Sequence, residues 1–112
     1  VKKSLPFLLA CFLFSMSSHS SSISTTKITR VLVGPSYGKN VILTISAKPT
    51  ELPPCQTNTG YSYVFDGTTE EGKMTLSVVL AAYAAQKDVW LGGNNTCSLY
   101  GGIEDLAHIV AK

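Results

Sequence analysis

Charge is scarce in this sequence. Asp, Glu, Lys and Arg make up 14% of 112 residues, and the formal net charge is +2. Lys2 and Lys3 account for that excess, because the other cations, Lys27, Arg30, Lys39, Lys48, Lys73, Lys87 and Lys112, equal the seven acids in number and stand singly along the chain. Without a basic stripe there is little to neutralise phosphates, so nucleic-acid binding and electrostatic capture of an anionic membrane are disfavoured. Histidine is nearly absent as well, with His19 and His108 alone. No nucleophile-elbow sequence is read, no Cys-x-x-Cys redox pair is found, and no glycine-rich loop leads into a helix in the phosphate-binding pattern.

The sequence also lacks an apolar run long enough to cross a bilayer. Its longest, Leu5 to Phe14, is interrupted by Pro6 and extends about ten residues where a span needs about twenty. Lys2-Lys3 before that run and the serines after it give the basic, apolar and small-residue order of a secretory signal peptide. We read residues 1–22 as the signal and 23–112 as a single domain. Small residues at the −3 and −1 positions, Ser15/Ser17 or Ser18/Ser20, place cleavage between Ser17 and Ser22, with the mature domain starting near Ser24 to Lys27. The product is expected to be secreted or periplasmic, with no stable membrane insertion. The alternative is a lipoprotein anchored at Cys11, since Leu8-Leu9-Ala10-Cys11 has a lipobox pattern, although Phe12, Leu13 and Phe14 continue the apolar run beyond it.

Loss of Cys11 with the signal leaves Cys55 and Cys97. In an exported protein two cysteines read as a disulfide, and closing a loop of this length contributes about 3–4 kcal/mol. Neither has the neighbouring histidines of a zinc site. No metal and no cofactor is expected.

Within the domain, alternating β-branched residues predict strands over 27–33, 41–46 and 61–65, separated by the turn-rich Gly34 to Asn40 and the proline-rich Lys48 to Asn58. The pattern then changes to a helix from about Glu70 to Gln86, capped by Thr68 or Thr69 and supplied with Glu70 and Glu71 in its first turn. Apolar residues on two sides, Met74, Val78, Ala81 and Ala85 against Leu76, Val79, Leu80 and Tyr83, predict a largely enclosed helix. Strands at 88–91 and 103–111 complete the order β-β-β-α-β-β. That is a mainly β (α+β) chain with one helix, in the order of a five-stranded OB-like barrel. The alternative is an open α+β sandwich.

Three stretches carry a family resemblance: Phe65 to Met74, the helix end Ala81 to Lys87, and Asn95-Thr96-Cys97-Ser98-Leu99-Tyr100-Gly101-Gly102-Ile103-Glu104. Together they resemble a family of small uncharacterised secreted bacterial proteins over nearly the whole mature chain. That family in turn is similar, in fold and element order, to the OB-fold B subunits of pertussis-like and subtilase-type toxins. The likeness implies a pentamer that binds cell-surface glycans, but none of those toxins' binding motifs matches a residue of this sequence.

Catalysis finds little support, and the chain is read as a non-enzyme. His108 lies in the last strand, Glu70 and Glu71 are explained by the helix start, and Glu104, Asp105 and Asp66 lack the loop spacing of a calcium site. For binding, Trp90, Asn94, Asn95 and Tyr100 offer aromatic faces beside short polar groups, a combination suited to sugars or to a protein surface. The competing reading is that Trp90 fills the core and Asn94-Asn95 turns the chain. Asn94-Asn95-Thr96 also spells a glycosylation sequon. The expected activity is that of an exported binding module, directed at a glycan or a protein and forming a homo-oligomer. The alternative is a secreted or periplasmic accessory or inhibitor that docks on a protein.

Overall fold

The structure, a computed structural model, describes residues 20–112; most of the expected signal segment, with Cys11 and His19, lies outside the described residues. Six strands and one long helix follow in the order β1 (Ser22–Thr26), β2 (Ile28–Leu32), β3 (Asn40–Ile45), β4 (Tyr63–Asp66), α1 (Glu70–Ala85), β5 (Val89–Gly93) and β6 (Glu104–Ala111). A 3-10 turn, Pro35–Tyr37, lies between β2 and β3. The fold is therefore mainly β with one helix, in the α+β class.

The strands form one mixed sheet in the order β1-β5-β6-β4-β3-β2. Every pairing is antiparallel except β4 with β6, which run parallel through Tyr63↔Glu104 and Val64↔Asp105. This corrects the expected closed barrel of five strands: six strands are hydrogen-bonded, and their order differs. The additional strand is β1, where Ser22–Thr26 carries a single apolar residue, Ile23, among hydroxyls. So polar a segment has no strand alternation to read; pairing with β5 makes it a strand, through Ser22↔Gly92, Ile23↔Leu91 and Thr26↔Val89. Only Lys27 separates β1 from β2, the two ends of the sheet order, and its flanks are fastened by Ser46 N–H donating to the Lys27 carbonyl and by a Thr26–Ser46 hydroxyl pair at 3.1 Å.

The period of two along β3 and β4 divides the core. Val41, Leu43, Ile45, Tyr63 and Phe65 face the larger cluster, joined by Ile28, Val89 and Leu91. Ile42 and Val64 face the other way, onto Ile103, with Leu32, Tyr37, Tyr61 and Leu99 around them. Each fully buried aliphatic side chain of this kind contributes about 1.5–3 kcal/mol.

The helix closes the larger cluster. Thr69 is its N-cap, with Oγ1 accepting from Gly72 N–H at 2.9 Å, and Gln86 ends it in the left-handed region at φ 52°. With Thr69 rather than Thr68 as cap, the third helical position is Gly72, so no capping box forms. Gly72 is required there, because a Cβ would stand 1.7 Å from the Asp66 carbonyl oxygen. The helix is less enclosed than its composition suggests. Gly72, Val79 and Ala82 are its buried residues, a stripe at helical spacing, while Met74, Leu80 and Tyr83 are exposed. Among the described residues the helix packs on β2 and β6, which cover one stripe.

Candidate binding surface

Both long connections converge over the smaller cluster. Cys55 and Cys97 are bonded, with Cα atoms 6.0 Å apart and a separation of 42 positions in the sequence. Beside the bridge, Gln56 Oε1 accepts from Glu104 N–H at 2.7 Å, and the N–H groups of Thr57 and Asn58 both donate to the Gly102 carbonyl at 3.0 Å. The disulfide is consistent with an oxidising compartment. No helix among the described residues is long and apolar enough to cross a membrane.

Glu104 and Asp105, both buried at the start of β6, point to opposite sides as strand neighbours must. Asp105 organises the connection from β5. One carboxylate oxygen accepts from Thr96 Oγ1 (2.6 Å), Ser98 Oγ (2.6 Å) and Ser98 N–H (3.0 Å), and the other from Leu99 N–H (3.1 Å). Burial pushes the Asp105 carboxyl up, but the hydrogen bonds from Ser98, Thr96 and Leu99 outweigh it and hold the group below the usual carboxylate range. Glu104 accepts from Ser21 Oγ at 2.6 Å and Asn95 N–H at 2.8 Å, while Ser21 N–H lies 3.4 and 3.3 Å from its two oxygens. The Tyr63 hydroxyl completes this group at 2.5 Å from Ser21 Oγ. Burial, partly offset by the Ser21 bond and reinforced by the Glu104 charge, raises the Tyr63 phenol above its ordinary value.

The four residues singled out for binding do not assemble into one site. Trp90 faces outward from β5, 40% exposed, which corrects the reading that it fills the core. Its Nε1 donates to Ser22 Oγ at 3.1 Å, and its ring meets His108 edge-on at 4.8 Å between centroids. Tyr100 is also exposed, but it neighbours Tyr37 on the connection before β6, at 6.1 Å. Asn94 is exposed, with its N–H given to the Asp105 carbonyl at 2.8 Å. Asn95 turns the chain at φ 63°, a conformation that asparagine tolerates better than most residues; its N–H is held by Glu104.

His108 joins Trp90 where the sequence offers only a lone strand histidine. Cross-strand register puts Ser22, Gly92 and His108 in one row over β1, β5 and β6, with Trp90 and Val110 paired in the adjoining row. Gly92 makes the row possible, since a Cβ there would stand 2.2 Å from the His108 ring. Alternation along β5, with Val89 and Leu91 buried around exposed Trp90, is the local signal for this face; the register supplies the rest.

Contrary to the expectation that no nucleophile elbow is spelled in the chain, Gly34-Pro35-Ser36-Tyr37-Gly38 does have the Gly-x-Ser-x-Gly spelling. Its context is a 3-10 turn between two strands, not the strand-to-helix turn that exposes a nucleophile. His108 is engaged with Trp90 rather than with Ser36.

Two hollows flank these features. One, of about 240 Å³, lies under the 47–62 connection and is lined by Ile45, Lys48, Leu52, Gln56, Asn58 and Tyr61. The other, about 340 Å³ and more polar, lies between the start of α1 and the 94–99 connection, with Thr69, Glu71, Asn94, Ser98 and Asp105 on its walls. Comparison with protein-family models, curated proteins and solved structures gives no match for this chain.

Proposed function

We propose that this chain is an exported binding module that acts by docking on a protein surface through the outward face of α1. The observation that carries the reading is that face itself. Between Lys73 and Lys87 the helix has no charged residue, yet Met74, Leu80, Ala81, Ala84 and Ala85 are exposed along one side of it. A solvent-facing helix surface is ordinarily charged, and apolar surface grouped in this way marks a contact. Export is supported by the basic, apolar and serine-rich order of the first twenty residues and by the disulfide.

An OB-like relationship belongs to the same proposal. Taken as one strand bent at Lys27, residues 22–32 pair with β5 through their first half and β3 through their second, the helix falls between β4 and β5, and β4 lies parallel to β6. That connectivity favours kinship with ring-forming toxin B subunits, in which the partner is a second copy of the chain. Light scattering of the exported protein tests this. Self-association abolished by Leu80→Glu supports the homo-oligomer; a monomer at all concentrations leaves docking on a different protein, as an accessory or inhibitor.

Glycan recognition is the second reading, favoured by the exposed Trp90 beside His108 and Ser22. Aromatic faces of this kind stack on sugar rings. A glycan array probed with the wild-type protein and Trp90→Ala decides it: binding lost in the variant supports the reading, and no binding by wild type ends it.

A further inference from the structure

Glu104 is fully buried, and among the described residues its carboxylate has no lysine, arginine or histidine within ion-pair distance, the two ion pairs being Lys27–Asp88 and Lys39–Asp66. A buried carboxylate without a cation is costly unless its oxygens are well met by donors. One of its donors is only half used. The Ser21 nitrogen is 3.4 and 3.3 Å from the two oxygens, so a single amide hydrogen is shared between both. Ser21 Oγ is meanwhile fixed at 2.6 Å by the same carboxylate and at 2.5 Å by Tyr63. The residue is thus held at its side chain, with its nitrogen facing a buried carboxylate group.

We infer that the bond hydrolysed on export is Ser20–Ser21, and that the new α-ammonium of Ser21 forms an ion pair with Glu104 as the mature domain folds. This inference rests on the export reading. Ser18 and Ser20 supply the small residues at −3 and −1 that a signal peptidase requires. Water is the co-reactant: the C–N bond breaks, hydroxyl goes to the Ser20 carbonyl carbon and hydrogen to the Ser21 nitrogen. With an ordinary value of about 8, the freed amine takes up a further proton at neutral pH. An ammonium replaces the one shared hydrogen with three, enough for a separate bond to each oxygen of Glu104. Cleavage at Ser17–Ser18 would leave an amide at that position and no charge.

Two measurements on the full chain, expressed with export, test this. Mass spectrometry of the exported product reads its first residue, and the α-amine is then labelled with an amine-selective acylating reagent in the folded state and in urea. The expected product starts at Ser21, and its α-amine reacts at least about tenfold more slowly when folded, since reaction needs local opening. Glu104→Gln is expected to abolish most of that protection; if this variant does not fold, the comparison of folded with unfolded wild type decides. A product starting at any other residue, or an amine equally reactive in both states, overturns the inference while export stands. An unprocessed chain overturns both.

Discussion

The start of β6 and the outer side of α1 both invert the usual partition of residues, and they do so in opposite ways. At the start of β6 two successive residues bury carboxylates on opposite sides of the strand, and each is met by hydroxyl and N–H donors from its own chain. On the outer side of α1, Met74 and Leu80 stand in solvent without a covering element among the described residues. The burial of these two carboxylates is therefore compensated inside the molecule, whereas the apolar exposure is not. What each inversion does follows from that difference: the first holds two connections and the N-terminal strand in place, and the second is available to something outside.

The most severe way to break the internal half is Asp105→Ala, which leaves the Thr96 and Ser98 hydroxyls and two N–H groups without their acceptor. A loss of about 3–5 kcal/mol is expected in urea denaturation. Next in size is reduction of Cys55–Cys97, expected to cost about 3–4 kcal/mol through the entropy of the opened loop; denaturation with and without reductant measures it. On the helix, Val79→Ala on the buried stripe should cost about 2 kcal/mol, against less than about 0.5 kcal/mol for Leu80→Glu on the exposed side. Equal losses from the two would abolish the distinction between inner and outer faces.

The smallest expected effect is in the pH dependence. Because Asp105 is held below the usual carboxylate range in the folded chain, it binds its proton less readily there than when unfolded. Its contribution is fully present above the unfolded value and is lost as pH falls through the folded one. A denaturation midpoint that declines on acidification in wild type, and less steeply in Asp105→Asn, is the expected outcome.

Elements with a strong local period are legible in the residues themselves. The alternation of Val41, Leu43 and Ile45 marks β3, and Glu70 and Glu71 after Thr69 mark the start of α1, because burial patterns and capping act within a few residues. β1 is not legible in this way, since its hydroxyl-rich Ser22–Thr26 becomes a strand only by pairing with β5. Of the candidate surface, Trp90 can be named from its residue type, but its neighbours Ser22 and His108 come from segments 68 and 18 residues away, joined by register alone.

By itself, then, the sequence determined the near-neutral charge after Lys2 and Lys3 and the α+β composition, each a consequence of residue identity or local order. Only the tertiary structure decided which stripe of α1 is covered, that Trp90 faces outward, and that Glu104 meets Ser21 from 83 residues away. Those are contacts between segments distant in the chain, and no local pattern encodes which face of one will meet the other.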